Sequence, residues 1–283
     1  MGRGPPVIDF APLFGKDKAA KSKLEDEIRN ACLNYGSFQL RNHGIPENLR
    51  KEILRQSKVF FSLRDEVKDK YNKDVGECNR GYERLRSQNF EKLTKGDLKE
   101  GYFLAQDLPL DDSYVQARKW AQRPNKYPSE VKDPHLWKKT DPDASELERG
   151  IGAHIDFGAV TILLQDSTGG LQVRDRKTGE WVDVEPIPDA VVINTGNLMM
   201  CWTNDRYVSN LHRVVNKTGT ERYSVPFFFD GNPDFLVKCL DSCIGEGGVA
   251  KHAPLTVSEW MEGRYADTFG VSKKKAAMEM VEV

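Results

Sequence analysis

The chain has 283 residues with 42 Lys and Arg against 43 Asp and Glu, a formal net charge of -1. A chain of this length buries a substantial core without disulfide staples. The near-neutral balance lacks the basic footprint that nucleic acid or an anionic lipid surface demands, so neither is an expected partner.

In chain order, the apolar stripe Leu24, Ile28, Ala31 and Tyr35 that follows Ser22 predicts an amphipathic surface helix ending at Gly36. Phe38 and Leu40 alternate with Ser37, Gln39 and Arg41 as a half-buried strand would. Pro46 then opens a second helix with Leu49, Ile53 and Phe60 on one face. The stretch from Arg118 to Glu148 is polar and punctuated by Pro124, Pro128, Pro134 and Pro142, which marks a connector. From Gly150 the pattern changes to short β runs near Val160 to Leu164, Leu171 to Arg174, Trp181 to Val184, Ala190 to Asn194, Leu211 to Val215 and Tyr223 to Phe229. The Gly-bearing loops at 168–170, 177–179 and 217–219 read as hairpin turns between them. Short strands at this spacing predict a sandwich or barrel, with a jelly roll as the natural candidate. The expected division is a mixed α/β N-terminal domain at 1–120, a connector at 121–149, a β core at 150–250 and a helical tail at 251–283.

The five cysteines, Cys32, Cys78, Cys201, Cys239 and Cys243, are odd in number and scattered, which predicts free thiols in a reducing compartment. No apolar run reaches the length of a membrane span, and the first residues carry no apolar signal core, so the cytoplasm is the expected location. Lys273, Lys274 and Lys275 form a run short enough to be a solvated tail.

Chemistry concentrates on few residues, because only five histidines exist. His154 and Asp156 stand two apart in extended sequence, so both side chains leave one face and can hold one ion. His212 lies in the strand-like run Leu211-His-Arg-Val-Val215 and offers a third ligand. Two imidazoles and a carboxylate that leave other positions open suit Fe(II) oxygen chemistry; zinc fits the same ligands but needs a general base that the sequence does not place. Arg222 and Ser224, again two apart, bring a guanidinium fork and a hydroxyl to one face, a pair that fits a carboxylate. A lone His-x-Asp is common by chance, and it is the second pair that gives the first its weight.

The stretch from Gly150 to Asp230, with Gly-Ile-Gly-Ala-His-Ile-Asp-Phe-Gly, Leu-Leu-Gln-Asp166, Gly-Gly-Leu-Gln-Val173, Asn194-Thr-Gly, His212-Arg-Val and Arg222-Tyr-Ser-Val-Pro-Phe-Phe-Phe, resembles the isopenicillin N synthase-like 2-oxoglutarate/Fe(II) dioxygenases. Pro6-Val-Ile-Asp-Phe, Gly36-Ser-Phe-Gln-Leu-Arg-Asn-His-Gly-Ile-Pro46, Phe60-Phe-Ser-Leu and Asp97-Leu-Lys-Glu-Gly resemble the N-terminal domain of that family. The resemblance implies a mainly β fold with flanking helices around a double-stranded β-helix core. It implies Fe(II) at His154, Asp156 and His212, with the remote carboxylate of 2-oxoglutarate at Arg222 and Ser224. The implied reaction is O2-dependent hydroxylation or desaturation of a small organic molecule, releasing succinate and CO2. The rival readings are an oxidase that uses no 2-oxoglutarate and a non-catalytic binding remnant. His43 matches a structural stretch of the family, whereas His135 and His252 are expected to be exposed. Asn194 and Phe157 are candidate lining residues, and Phe227, Phe228 and Phe229 suggest an apolar wall with at least two of the rings in the core. Relative to the family, the connector is shorter by several dozen residues. That loss is expected to remove the first strand of the core, leaving an open sheet edge and a marginally stable protein.

Overall fold

A computed structural model of the chain describes residues 4–75, 79–90, 96–119, 121–131, 137–140, 150–216 and 218–269. The strands in chain order are β1 (Val7–Asp9), β2 (Ser37–Arg41), β3 (Gly81–Glu83), β4 (Lys99–Phe103), β5 (Trp137–Thr140), β6 (Ile151–His154), β7 (Val160–Gln165), β8 (Leu171–Arg174), β9 (Trp181–Asp183), β10 (Ala190–Thr195), β11 (His212–Val214), β12 (Arg222–Phe229), β13 (Leu236–Val237) and β14 (Leu255–Thr256). The helices are α1 (Lys18–Asn34), α2 (Glu47–Phe61), α3 (Asp65–Lys68), α4 (Ser113–Gln116), α5 (Asn197–Trp202), α6 (Asp241–Ile244) and α7 (Val257–Phe269).

Helix α1 begins four residues before the apolar stripe from Ser22, because the Asp17 carboxylate accepts the N–H groups of Ala19 and Ala20 and caps the first turn. It stops at Gly36, whose φ of 65° is the left-handed conformation that releases the chain into β2. Leu24, Ala31 and Cys32 of α1 pack on Ile8, Phe38, Leu40, Val191 and Ile193. Helix α2 buries Phe60 and Phe61 against Tyr82, Tyr102 and Tyr223. Complete burial of a ring such as Phe60 contributes roughly 1.5–3 kcal/mol.

Two sheets form the core. The larger has the order β1-β2-β10-β7-β12-β5-β4-β3, and the smaller has the order β6-β11-β8-β9. Ile151, Leu171, Val173, Val184 and Val214 pack with Leu163 and Val192 of the larger sheet, which makes the inter-sheet core. This is the face-to-face sheet packing of a jelly roll, as the sequence predicts. Strands from the first hundred or so residues lie at both ends of the larger sheet, so its edges are β1 and β3.

Three expectations need correction. The sheet has no opening at the connector: β5, drawn from connector residues, pairs antiparallel with Arg222–Ser224 of β12 on one side and with Lys99–Tyr102 of β4 on the other. Its backbone groups are thereby satisfied along both edges, which is reason enough for a short polar segment to be a strand. Secondly, only the loop at 177–179 is a hairpin turn, joining paired β8 and β9. The loop at 168–170 instead carries the chain between the two sheets, from β7 to β8, and residues 218 and 219 lie on the passage between the sheets from β11 to β12, Lys217 being outside the described residues. Thirdly, Phe227 and Phe229 are 58% and 52% exposed, and only Phe228 turns inward, because successive side chains of β12 alternate faces. Cys78, His135 and Lys273 to Lys275 lie outside the described residues.

Candidate functional site

β6 and β11 pair so that His154 and His212 stand opposite each other. The segment after His154 is held by backbone bonds from Asn197 N–H to the Asp156 carbonyl (2.9 Å) and from Leu198 N–H to the Gly158 carbonyl (3.1 Å). Gly196 permits this approach to the start of α5, since a Cβ there would lie 2.1 Å from the Gly158 oxygen. The result brings Asp156 between the two imidazoles: its Oδ1 is 3.7 Å from His154 Nε2 and 3.5 Å from His212 Nε2. The three ligand atoms lie within 4.8 Å of one another, and no other such cluster exists among the described residues.

The tautomers follow from the backbone. His154 Nδ1 is 2.8 Å from the Gly152 carbonyl and His212 Nδ1 is 3.0 Å from the Asn210 carbonyl. A carbonyl oxygen only accepts, so each Nδ1 carries the hydrogen and each Nε2 presents its lone pair toward Asp156. Asn194 donates to Asp156 Oδ2 at 3.4 Å. Two oriented imidazoles and a buried carboxylate fit a divalent iron with open positions.

Behind the triad the cavity continues past Ile151, Leu163, Leu171, Val214 and Phe228 to Arg222 and Ser224. The Arg222 side chain is 1% exposed. It donates from Nε to the Gly169 carbonyl (2.8 Å), and from its two terminal nitrogens to Ser224 Oγ (3.1 Å) and Gln165 Oε1 (3.1 Å). All three acceptors are neutral. Burial pushes the guanidinium down to about 10 while the Asp166 carboxylate acts in the opposite sense, so the group remains cationic at neutral pH. A buried cation bonded only to neutral groups is suited to an anionic ligand.

Several site residues carry no local sequence signal. The Phe90 ring stacks on His154 at 4.3 Å with an interplanar angle of 8°. Phe157 meets Phe90 edge-on at 6.3 Å and Tyr265 at 6.2 Å. From α7, Trp260 donates to the Phe157 carbonyl (2.8 Å), and the Arg264 guanidinium lies 4.9 Å from the Phe157 ring centre. Of these residues the sequence anticipates only Phe157; Gln165, like Phe90 and Tyr265, is not singled out by it. His43 and His252 lie away from the triad: His43 Nδ1 accepts from Ile45 N–H, and His252 pairs with Asp205 at 2.7 Å, half-buried rather than exposed.

Asp230, just beyond β12, has an Oδ1 buried without a hydrogen-bond partner. The same atom lies 2.0 Å from where a Cβ of residue 158 would be, which explains Gly158. Burial, and then the charge of Asp156, push its carboxyl up to about 6. Between pH 4 and 6 the folded chain therefore holds a proton that the unfolded chain has released, so stability falls as pH rises through that window and stays lower above it. Asp230→Asn is expected to stabilise the metal-free protein at pH 7.5 by about 1–3 kcal/mol and to flatten this dependence. Urea unfolding at pH 4.5 and 7.5 checks it, and an unchanged pH dependence in the variant would refute the assignment.

Comparison with known proteins agrees with this geometry. Residues 5–130 match the model described as non-haem dioxygenase in morphine synthesis N-terminal, and residues 121–231 match the 2OG-Fe(II) oxygenase superfamily. The chain is 38% identical to the 2-oxoglutarate-Fe(II) type oxidoreductase hxnY of Emericella nidulans, over 94% of this chain and 90% of that one. It is 34% identical to the 2-oxoglutarate-dependent dioxygenase citB of Monascus ruber, over 95% and 97%. The hxnY match extends over 316 positions, more than this chain's 283 residues, so that relative carries stretches with no counterpart here. Among solved structures, a full-length Neurospora crassa protein crystallised with alpha-KG, and with alpha-KG and thymine, shares the fold with a TM-score of 0.79 at 23% identity, covering 93% of this chain and 96% of its own. Sequence likeness along almost the whole chain, shared fold and an iron-competent His-Asp-His cluster agree, and the chain belongs to the 2-oxoglutarate- and Fe(II)-dependent dioxygenases, oxidoreductases that use O2 to oxidise small molecules.

Proposed function

We propose that His154, Asp156 and His212 hold the iron, and that Arg222 and Ser224 hold the distal carboxylate of 2-oxoglutarate, in the hydroxylation or desaturation of a small, flat organic molecule. The observation that carries this reading is the placement of a buried guanidinium with neutral partners at the inner end of the cavity that begins at the triad. Iron and 2-oxoglutarate supply O2 activation when bound, with succinate and CO2 as co-products. The chain's own residues orient and insulate. The Nδ1–H bonds of both histidines fix their rings, and Asn194 steadies Asp156. Arg222 is itself fixed by the Gly169 carbonyl and Gln165, which directs its remaining donor capacity at the ligand. Leu163, Leu171 and Phe228 keep water from the cavity between them. The Phe90 ring stacked on His154, with Phe157 edge-on to it, places aromatic side chains next to the triad, and the thymine complex of the Neurospora crassa protein supports a flat-ring substrate. Cytoplasmic location belongs to the same reading, supported by free thiols at Cys32, Cys201, Cys239 and Cys243.

The test is anaerobic addition of Fe(II) and then 2-oxoglutarate to purified protein. The expected result is a visible metal-to-ligand absorption band that appears only with both, followed by succinate release on admitting O2. Oxygen consumption without succinate would overturn the assignment of Arg222 and Ser224.

A further inference from the structure

We propose that Asp97, which lies outside the metal cluster, is a positioning residue that sets the aim of His154 through the backbone of Gly152. This rests on the metal reading above. Along β6 and β11 the register runs from His212 opposite His154 to Val214 opposite Ile151, so three steps on β6 face two steps on β11. The extra residue is a bulge on the strand that carries a metal ligand, one or two positions before it. Bulges take a residue out of the regular ladder and re-aim the side chain that follows. Among the described residues β6 is also the edge of its sheet, with β11 its one neighbouring strand.

Gly152 is held inside this irregular stretch by bonds from both of its backbone groups. Its carbonyl accepts the His154 Nδ1–H at 2.8 Å. Its N–H donates to Asp97 Oδ1 at 3.0 Å, in a buried hydrogen bond that reaches 55 residues back along the chain. Asp97 is 1% exposed, just ahead of β4, and its own backbone is fixed by Gln88 and Arg86: its N–H donates to the Gln88 carbonyl (2.7 Å), and its carbonyl accepts from Arg86 N–H (3.2 Å). The anchor is therefore rigid where the ligand strand is irregular. With both polar groups of Gly152 held, the imidazole that follows it on the strand has a fixed direction. Without Asp97, the buried Gly152 N–H loses its acceptor, and the bulge is free to relax and rotate the His154 lone pair off Asp156.

The experiment measures Co(II) and Fe(II) affinity anaerobically by equilibrium dialysis, together with the visible ligand-field spectrum of the Co(II) protein. Asp97→Ala is expected to weaken metal binding about 10- to 100-fold and to change the Co(II) spectrum. Asp97→Asn keeps an acceptor oxygen and is expected to restore affinity to within a few-fold of the unmodified chain. Tyr82→Phe, which deletes a buried 2.7 Å bond to Glu100 without touching β6, separates aim from stability: it lowers the melting temperature while metal affinity stays the same. Equal metal affinity in Asp97→Ala and the unmodified chain would overturn the proposal, as would an equal loss in Tyr82→Phe. Failure of the unmodified chain to bind either metal would overturn the metal reading itself.

Discussion

Asp156→Ala is expected to yield a folded protein that retains no Fe(II) and shows no turnover above background, a loss of at least about three orders of magnitude or about 4 kcal/mol of barrier. The carboxylate stands between the two imidazoles, 3.7 and 3.5 Å from their Nε2 atoms, and its removal leaves two neutral ligands and no negative charge at the centre. Two imidazoles alone hold a divalent ion weakly, because the charge of the carboxylate offsets much of the cost of stripping water from the cation. The fold should survive, since the backbone carbonyl of residue 156 still accepts the Asn197 N–H and the segment stays pinned to α5. Metal analysis after dialysis and the far-ultraviolet circular dichroism spectrum check both halves. Stoichiometric iron in the variant would remove Asp156 from the ligand set.

Arg222→Lys carries the second large effect, and it should fall on 2-oxoglutarate rather than on the metal. The guanidinium spends one nitrogen on the Gly169 carbonyl and another on Gln165 while still reaching Ser224, an arrangement of fixed, planar donors. An ammonium is a point charge on a flexible stem and cannot hold those partners and a carboxylate together. The loss of one charge-assisted contact is about 1.5–3 kcal/mol, which weakens 2-oxoglutarate about tenfold to a hundredfold. Titration of the co-substrate into the Fe(II)-loaded protein measures it, with Fe(II) affinity as the internal reference. An unchanged 2-oxoglutarate affinity would mean that the carboxylate binds elsewhere.

What was legible in the sequence depended on spacing. His154 with Asp156 and Arg222 with Ser224 are two apart in extended segments, and the period of a strand puts each pair on one face before any fold is known. His212 was a weaker inference: only pairing of β11 with β6 brings it to the others, and the family pattern rather than its spacing singled it out. Phe90, Gln165, Asp230 and Tyr265 come from a loop, a strand end and a tail helix, where nothing local tells a site residue from a packing residue. The connector strand was hidden for a related reason. Trp137-Lys-Lys-Thr140 has no alternating pattern, and it is a strand because β12 and β4 both offer it unpaired backbone. The glycine loops at 168–170 and 217–219 misled in the opposite direction, because a turn within a sheet and a passage between sheets use the same residue types. The first of these loops concealed a useful detail: in crossing between sheets it delivers the Gly169 carbonyl to Arg222.

The two ends of the cavity belong to different sheets. His154 and His212 stand on the smaller sheet, whereas Arg222 and Ser224 stand on the larger one. On the proposed reading, a keto diacid held at both ends would be a cross-brace between the sheets, spanning a gap comparable to the inter-sheet core. That gap is set by Leu163, Leu171, Val192 and Val214, which pack side by side and are nearly incompressible. On that reading the core would act as a gauge of that length, and a diacid one methylene shorter or longer is expected to bind the Fe(II)-loaded protein more weakly than 2-oxoglutarate does. Selection for chain length would then be a property of the hydrophobic core, held by side chains that carry no charge and form no side-chain hydrogen bond.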